Sequence, residues 1–166
     1  MGRPTCRSQL TPQQMKERRQ KLNDAIFKLR SLPIHIRALK GDVEEINKSP
    51  WWKKKNMIEE ARKKAQEIEE PLSVLGIKVK VLREEGEKVA VTDAALRLAD
   101  FISEGKVEHP RGKGEIGFLE FINKRKEELT YFIGPGKPFE LVNQLAKELR
   151  NKINEALSPI QEKLFG

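Results

Sequence analysis

The chain has 166 residues, 37% hydrophobic and 35% charged, against about 45–50% and about 25% in an average globular domain, which suffices for one full domain or two small ones with a lean core. A single cysteine, Cys6, excludes an intramolecular disulfide and a thiolate metal cluster within one chain, and no run of 18 apolar residues offers a transmembrane helix. Net charge is +8, yet residues 1–65 hold 17 Lys/Arg against 7 Asp/Glu while residues 66–166 hold 16 against 18; the whole positive excess lies in the first two-fifths, which favours a polyanion-binding surface over general solubility.

Residues 1–10 are polar, lack periodicity and carry Arg3, Pro4 and Arg7, which predicts a mobile basic tail. Gly2-Arg3-Pro4 has the core of a minor-groove arm without its flanking basic residues. No apolar segment of a secretory signal follows Arg3 and Arg7, and position six lacks the Ser/Thr that myristoylation favours. A reducing cytoplasm is the expected location.

Thr11-Pro12-Gln13-Gln14 reads as a capping box with Pro in the first turn. Met15, Leu22, Ala25, Ile26, Leu29 and Leu32 then form an apolar stripe, with Lys16, Arg19, Lys21, Lys28 and Arg30 largely off it. Pro33 ends or bends this helix. Residues 34–48 make one short helix, or two broken at Gly41. Ser49-Pro50 is expected to open the next helix as Thr11-Pro12 opens the first. Its stripe is Trp51, Ile58, Ala61, Ala65 and Ile68, and Pro71 closes it.

Beyond Pro71 the period changes to two: Ile77, Val79 and Val81 alternate with Lys78 and Lys80, and Val89 and Val91 repeat the pattern. This predicts a β-hairpin with strands near 77–82 and 87–91; a helix through 72–85 is the competing reading. Thr92-Asp93 caps a helix that ends at Gly105. A glycine-rich loop follows over 105–114, then a helix from about 116 to 133, a break at Gly134-Pro135-Gly136, and a last helix. In that helix Phe139, Val142, Ala146, Leu149, Ile153, Ala156 and Ile160 alternate steps of three and four, a heptad-like seam. The fold class is therefore mainly α: a bundle of five or six helices with a small central hairpin at about 77–91. A basic helical region (1–70), a hairpin connector (71–91) and a C-terminal helical region (92–166) are expected, possible also as one domain.

The stretch Ser49-Pro50-Trp51-Trp52-Lys53-Lys54-Lys55 holds both tryptophans of the chain. Aromatic planes beside lysines suit nucleic acid, since rings stack on bases and ammonium groups neutralise phosphates. Helical geometry, at 100° per residue, assigns Trp51 to the apolar stripe and Trp52 to the surface. Burial of both rings under another helix, or use as an interfacial membrane helix, are the rival readings. Arg18, Arg19, Lys21, Arg30, Lys53, Lys54, Lys55, Arg62 and Lys63 are expected, with Lys64, to converge on one phosphate-binding face. Arg111 and Lys113, in a loop whose glycines let backbone amides approach an anion, are further candidates. Gly134-Pro135-Gly136-Lys137-Pro138 lacks the spacing of a phosphate loop and follows no strand.

Enzyme chemistry finds no foothold. His35 and His109 stand alone, without a carboxylate, Cys or His at ligand spacing. No catalytic residues, metal or cofactor are proposed. The seam residues Val142, Leu149, Ile153 and Ile160 serve either as core or as a partner-binding surface. The expected function is a non-catalytic nucleic-acid-binding accessory or assembly protein, DNA and RNA being equally compatible. The alternative is a helical scaffold that self-associates or binds a protein through its last helix.

Overall fold

The computed structural model describes residues 10–112, 114–133 and 138–165, the side chains at 132, 133 and 159–165 excepted. Within them the fold is mainly α. Six α-helices run over Pro12–Lys28 (α1), Leu32–Lys48 (α2), Trp51–Val74 (α3), Asp93–Glu104 (α4), Phe118–Ile133 (α5) and Pro138–Phe165 (α6). Two antiparallel hairpins interrupt them: β1 (Leu82–Glu85) with β2 (Lys88–Val91), and β3 (Lys106–Glu108) with β4 (Glu115–Gly117).

Local chemistry explains most boundaries. Thr11 and Gln14 form the reciprocal capping box at α1, the Gln14 N–H donating to Thr11 Oγ1 at 3.1 Å and the Thr11 N–H to Gln14 Oε1 at 2.9 Å. A 3₁₀ turn at Leu29–Ser31 leads into α2, with Pro33 tolerated in its first turn. Gly41 sits inside an unbroken α2. Pro71 does not close α3, which runs on for three residues. The close comes at Gly76, whose φ of +84° suits glycine. There the Gly76 N–H donates to Ser73 O and the Ile77 N–H to Leu72 O, a Schellman motif that packs Ile77 on Leu72. Thr92 caps α4 by accepting from the Ala95 N–H.

The first hairpin pairs Leu82 with Val91 and Glu85 with Lys88 across the two-residue loop Gly86-Glu87. Its strands begin later than the period-two pattern suggests. Residues 77–81 are extended and bury Ile77, Val79 and Val81; of these Val81 alone continues the pairing, its carbonyl accepting from the Thr92 N–H at 2.9 Å. Two side chains tie this region to the helices. Glu69 accepts from the Val81 N–H, and Asn47 both donates to and accepts from the Val89 backbone. The second hairpin occupies part of the expected loop 105–114. Gly105 lies so close to Phe101 that a Cβ there would stand 2.4 Å from its carbonyl oxygen.

One hydrophobic cluster runs from Leu22 to Leu157 and draws on every helix. Helix α2 packs on α3, α4 and β2, and α6 packs on α1, α4 and α5. Burying this apolar surface supplies the main stabilisation, at about 25 cal/mol per Å². The heptad-like seam is part of it: Leu149 and Ile153 are 0% exposed and Val142 is equally enclosed. These three therefore cannot form a partner surface, because the bundle uses them internally. Ile160's side chain lies outside the described residues.

Candidate nucleic-acid interface

Helices α2 and α3 meet at a corner of two residues. Ser49 closes α2 instead of opening α3: its hydroxyl donates to Glu45 O at 2.8 Å and its N–H to Ile46 O. Being followed by proline, Ser49 is held extended, with ψ of 151°. Pro50 is the N-cap of α3, and no side chain caps this end.

The first ten residues of α3, 51–60, contain no fully buried side chain; Ala61 is the first. Met57 and Ile58 are its first side chains to pack against the core, so residues 51–56, at 1.5 Å per residue, overhang it by roughly 9 Å. Only Lys54, Met57 and Ile58 are half-buried there. Trp51 and Trp52 are 74% and 63% exposed. Their rings meet edge to face, centroids 5.9 Å apart and planes at 86°. The assignment of Trp51 to the core is thus corrected. It does share an azimuth with Ile58 and Ala65, but periodicity fixes direction only, and the first side chains of α3 to pack on the core are Met57 and Ile58, nearly two turns further on.

The electrostatics of this tip are one-sided. No Asp or Glu occurs from Ile46 through Ile58, a span that holds Lys48, Lys53, Lys54 and Lys55. Those lysines have no salt bridge among the described residues. The first turn of α3 has no acidic residue, so Lys53 stands where the helix dipole disfavours a cation, typically by about 0.3–1 kcal/mol, whereas Lys48 lies in the last turn of α2, where the dipole favours it.

The other predicted residues do not gather here. Arg18 and Lys21 of α1 line a shallow groove with Leu22 and Val74, at the far end of α3 and roughly 33 Å from Trp52 along its axis. Arg19 is half-buried on α1. Arg30 donates to Asn123 Oδ1 at 2.8 Å. Arg62 holds Glu84 with two hydrogen bonds of 2.8 and 2.6 Å, and Lys64 holds Asp42 at 2.7 Å. Hydrogen bonding to Arg62 pulls the Glu84 carboxyl below its ordinary pKa. Lys63, between them, is exposed. Arg111 pairs with Glu128 at 3.3 Å, and its N–H donates to His109 Nδ1. Lys113 lies outside the described residues, as do Arg3 and Arg7 of the tail. The single converging face is therefore replaced by a tip, Trp51 to Lys55 with Lys48, and by scattered cations, several already paired. Sequence reasoning missed Lys48, although it directly precedes Ser49-Pro50.

A groove of about 590 Å³ between α2 and α3 has an apolar floor of Leu32, Leu39 and Ile68 and a rim of both charges, including His35, Asp42, Lys64 and Glu67. Among the described residues, no group of three or more His, Cys, Asp and Glu could hold a metal ion. No helix among them is long and apolar enough to cross a membrane. No known protein family matches this chain, and no curated protein or solved structure is significantly similar to it.

Proposed function

We propose that the protein binds nucleic acid, without catalysing a reaction on it, through the tip of the α2–α3 hairpin. The observation that carries this reading is the exposure of both tryptophans beside three lysines that have no described ion-pair partner. Phe27 and Tyr131 are exposed too, but the two tryptophans are adjacent and stand beside the lysines, which break the charge rule for a helix start. A phosphate chain at that place would relieve the like-charge crowding and the dipole conflict together. Departures from local rules without a compensating internal contact are where function is expected.

Because Trp51 and Trp52 are the only tryptophans, intrinsic tryptophan fluorescence reports on this site alone. Titration with a mixed-sequence nucleic acid at low salt is expected to quench it saturably, with recovery as salt rises. Unchanged emission with DNA and RNA, single- and double-stranded, would remove the proposal.

A further inference from the structure

We infer that the nucleic acid taken by the tip is single-stranded: Trp51 and Trp52 each receive one unpaired base while Lys53, Lys54 and Lys55 meet the adjoining phosphates. This deepens the proposed function and rests on it. Three observations carry it. First, the ring planes stand at 86° to each other, so both rings cannot enter one step of a duplex; each needs a base of its own, turned to suit. Second, a base stacked flat on one ring cannot lie parallel to a base stacked flat on the other, since the rings meet edge to face. Bases that reach both rings must be unstacked from one another, which a single strand permits and a duplex resists. Third, the tip is a narrow overhang bearing four lysines, too few to rival the roughly 6–10 phosphate contacts with which proteins hold a duplex by charge. Stacking supplies what charge does not.

A lipid surface would also attract Trp beside Lys. An interfacial helix, however, lies flat and sinks a continuous apolar face. In α3 that face, Ala61, Ala65, Ile68 and Leu72, is spent in the protein core, which leaves two rings and no stripe. Nucleic acid is the better fit.

The test is anisotropy of labelled oligonucleotides of one length: single-stranded DNA, single-stranded RNA and the DNA duplex, with inorganic polyphosphate as a base-free competitor. Wild type, Trp51→Ala, Trp52→Ala and the Trp→Phe variants are compared, with circular dichroism verifying that each remains folded. At least one single strand is expected to bind tenfold or more tighter than duplex, and polyphosphate to compete poorly. Each Ala variant should lose roughly 5- to 150-fold and each Phe variant much less. Equal binding of duplex, equally effective polyphosphate, or neutral Ala variants would overturn the single-strand inference while leaving a polyanion-binding tip. Binding to phosphatidylserine vesicles with no binding to any nucleic acid would overturn this inference and the proposed function together.

Discussion

Helix α3 carries two basic triplets nine residues apart, Lys53-Lys54-Lys55 and Arg62-Lys63-Lys64. As sequence they are nearly interchangeable; in the fold they are opposites. The second lies where α3 is flanked by α2 and the first hairpin, and two of its three cations are bound to Glu84 and Asp42. The first lies on the overhang, between two exposed rings and Asn56, with no carboxylate to hold it. Charge count is the same in both. What differs is whether the protein has already answered the charge. A basic run informs about partners only after its internal partners have been subtracted.

The contrast depends on a rigid bundle from which the tip projects, and the largest expected effect tests that. Leu149→Asp places an unpaired carboxylate at a 0%-exposed position of α6. It should cost about 4 kcal/mol or more, measured by urea denaturation, whereas Trp52→Ala should leave the midpoint nearly unchanged. A folded, equally stable Leu149→Asp protein would mean that the seam faces outward after all. The second effect concerns the number of cations engaged. With three or four lysines on a single strand, the log–log salt slope should lie near −2 to −3. Affinity would then fall roughly 20- to 60-fold between 50 and 200 mM salt. A slope near −5 would recruit the paired cations and erase the distinction between the triplets.

A third and smaller effect concerns a pair that resembles the second triplet. Arg125 grips Glu148 with two bonds of 2.7 Å and also donates to Glu128, joining α5 to α6. Burial pushes the Glu148 carboxyl up. Hydrogen bonds from Arg125 and Gln144 and the Arg125 charge outweigh this and hold it below the ordinary 4.5. A carboxylate with a lowered folded pKa stabilises the protein above its unfolded pKa and loses that contribution as pH falls through the folded value. Arg125→Met should therefore cost about 1–2 kcal/mol near neutral pH. The difference from wild type should shrink as pH drops below about 4.5, followed by thermal unfolding across pH. A difference that grows in acid would reverse the assignment.

Much of the bundle is legible in the residues because caps and stripes are local. Thr11–Gln14 and Thr92 fix helix starts through hydrogen bonds within three residues, and Leu22, Ala25 and Ile26 already show the inward face. The second hairpin escapes notice because each of its strands is three residues long, with Val107 as its one buried side chain; such a stretch has no period to detect. Pro71 misleads because a proline near a helix end forfeits a single hydrogen bond, which burial of Pro71 and Leu72 offsets. Ser49-Pro50 looks like Thr11-Pro12, but a serine beside a preceding helix finds that helix's carbonyl first. Trp51 is misjudged for the reason that also hides the difference between the triplets. Azimuth is written in the sequence, whereas what stands opposite is set by Asp42, Glu84 and the end of α2, which are distant in sequence or require the folded chain.

The most direct test neutralises the two triplets side by side. Lys53→Gln/Lys54→Gln/Lys55→Gln and Arg62→Gln/Lys63→Gln/Lys64→Gln remove the same charge from the same helix. Both are compared with wild type for binding of one single-stranded oligonucleotide at low salt, after circular dichroism confirms an intact helical fold. The first variant should lose at least tenfold in affinity and the second should stay within about twofold. Equal losses, or a larger loss from the second triplet, would contradict binding through the tip.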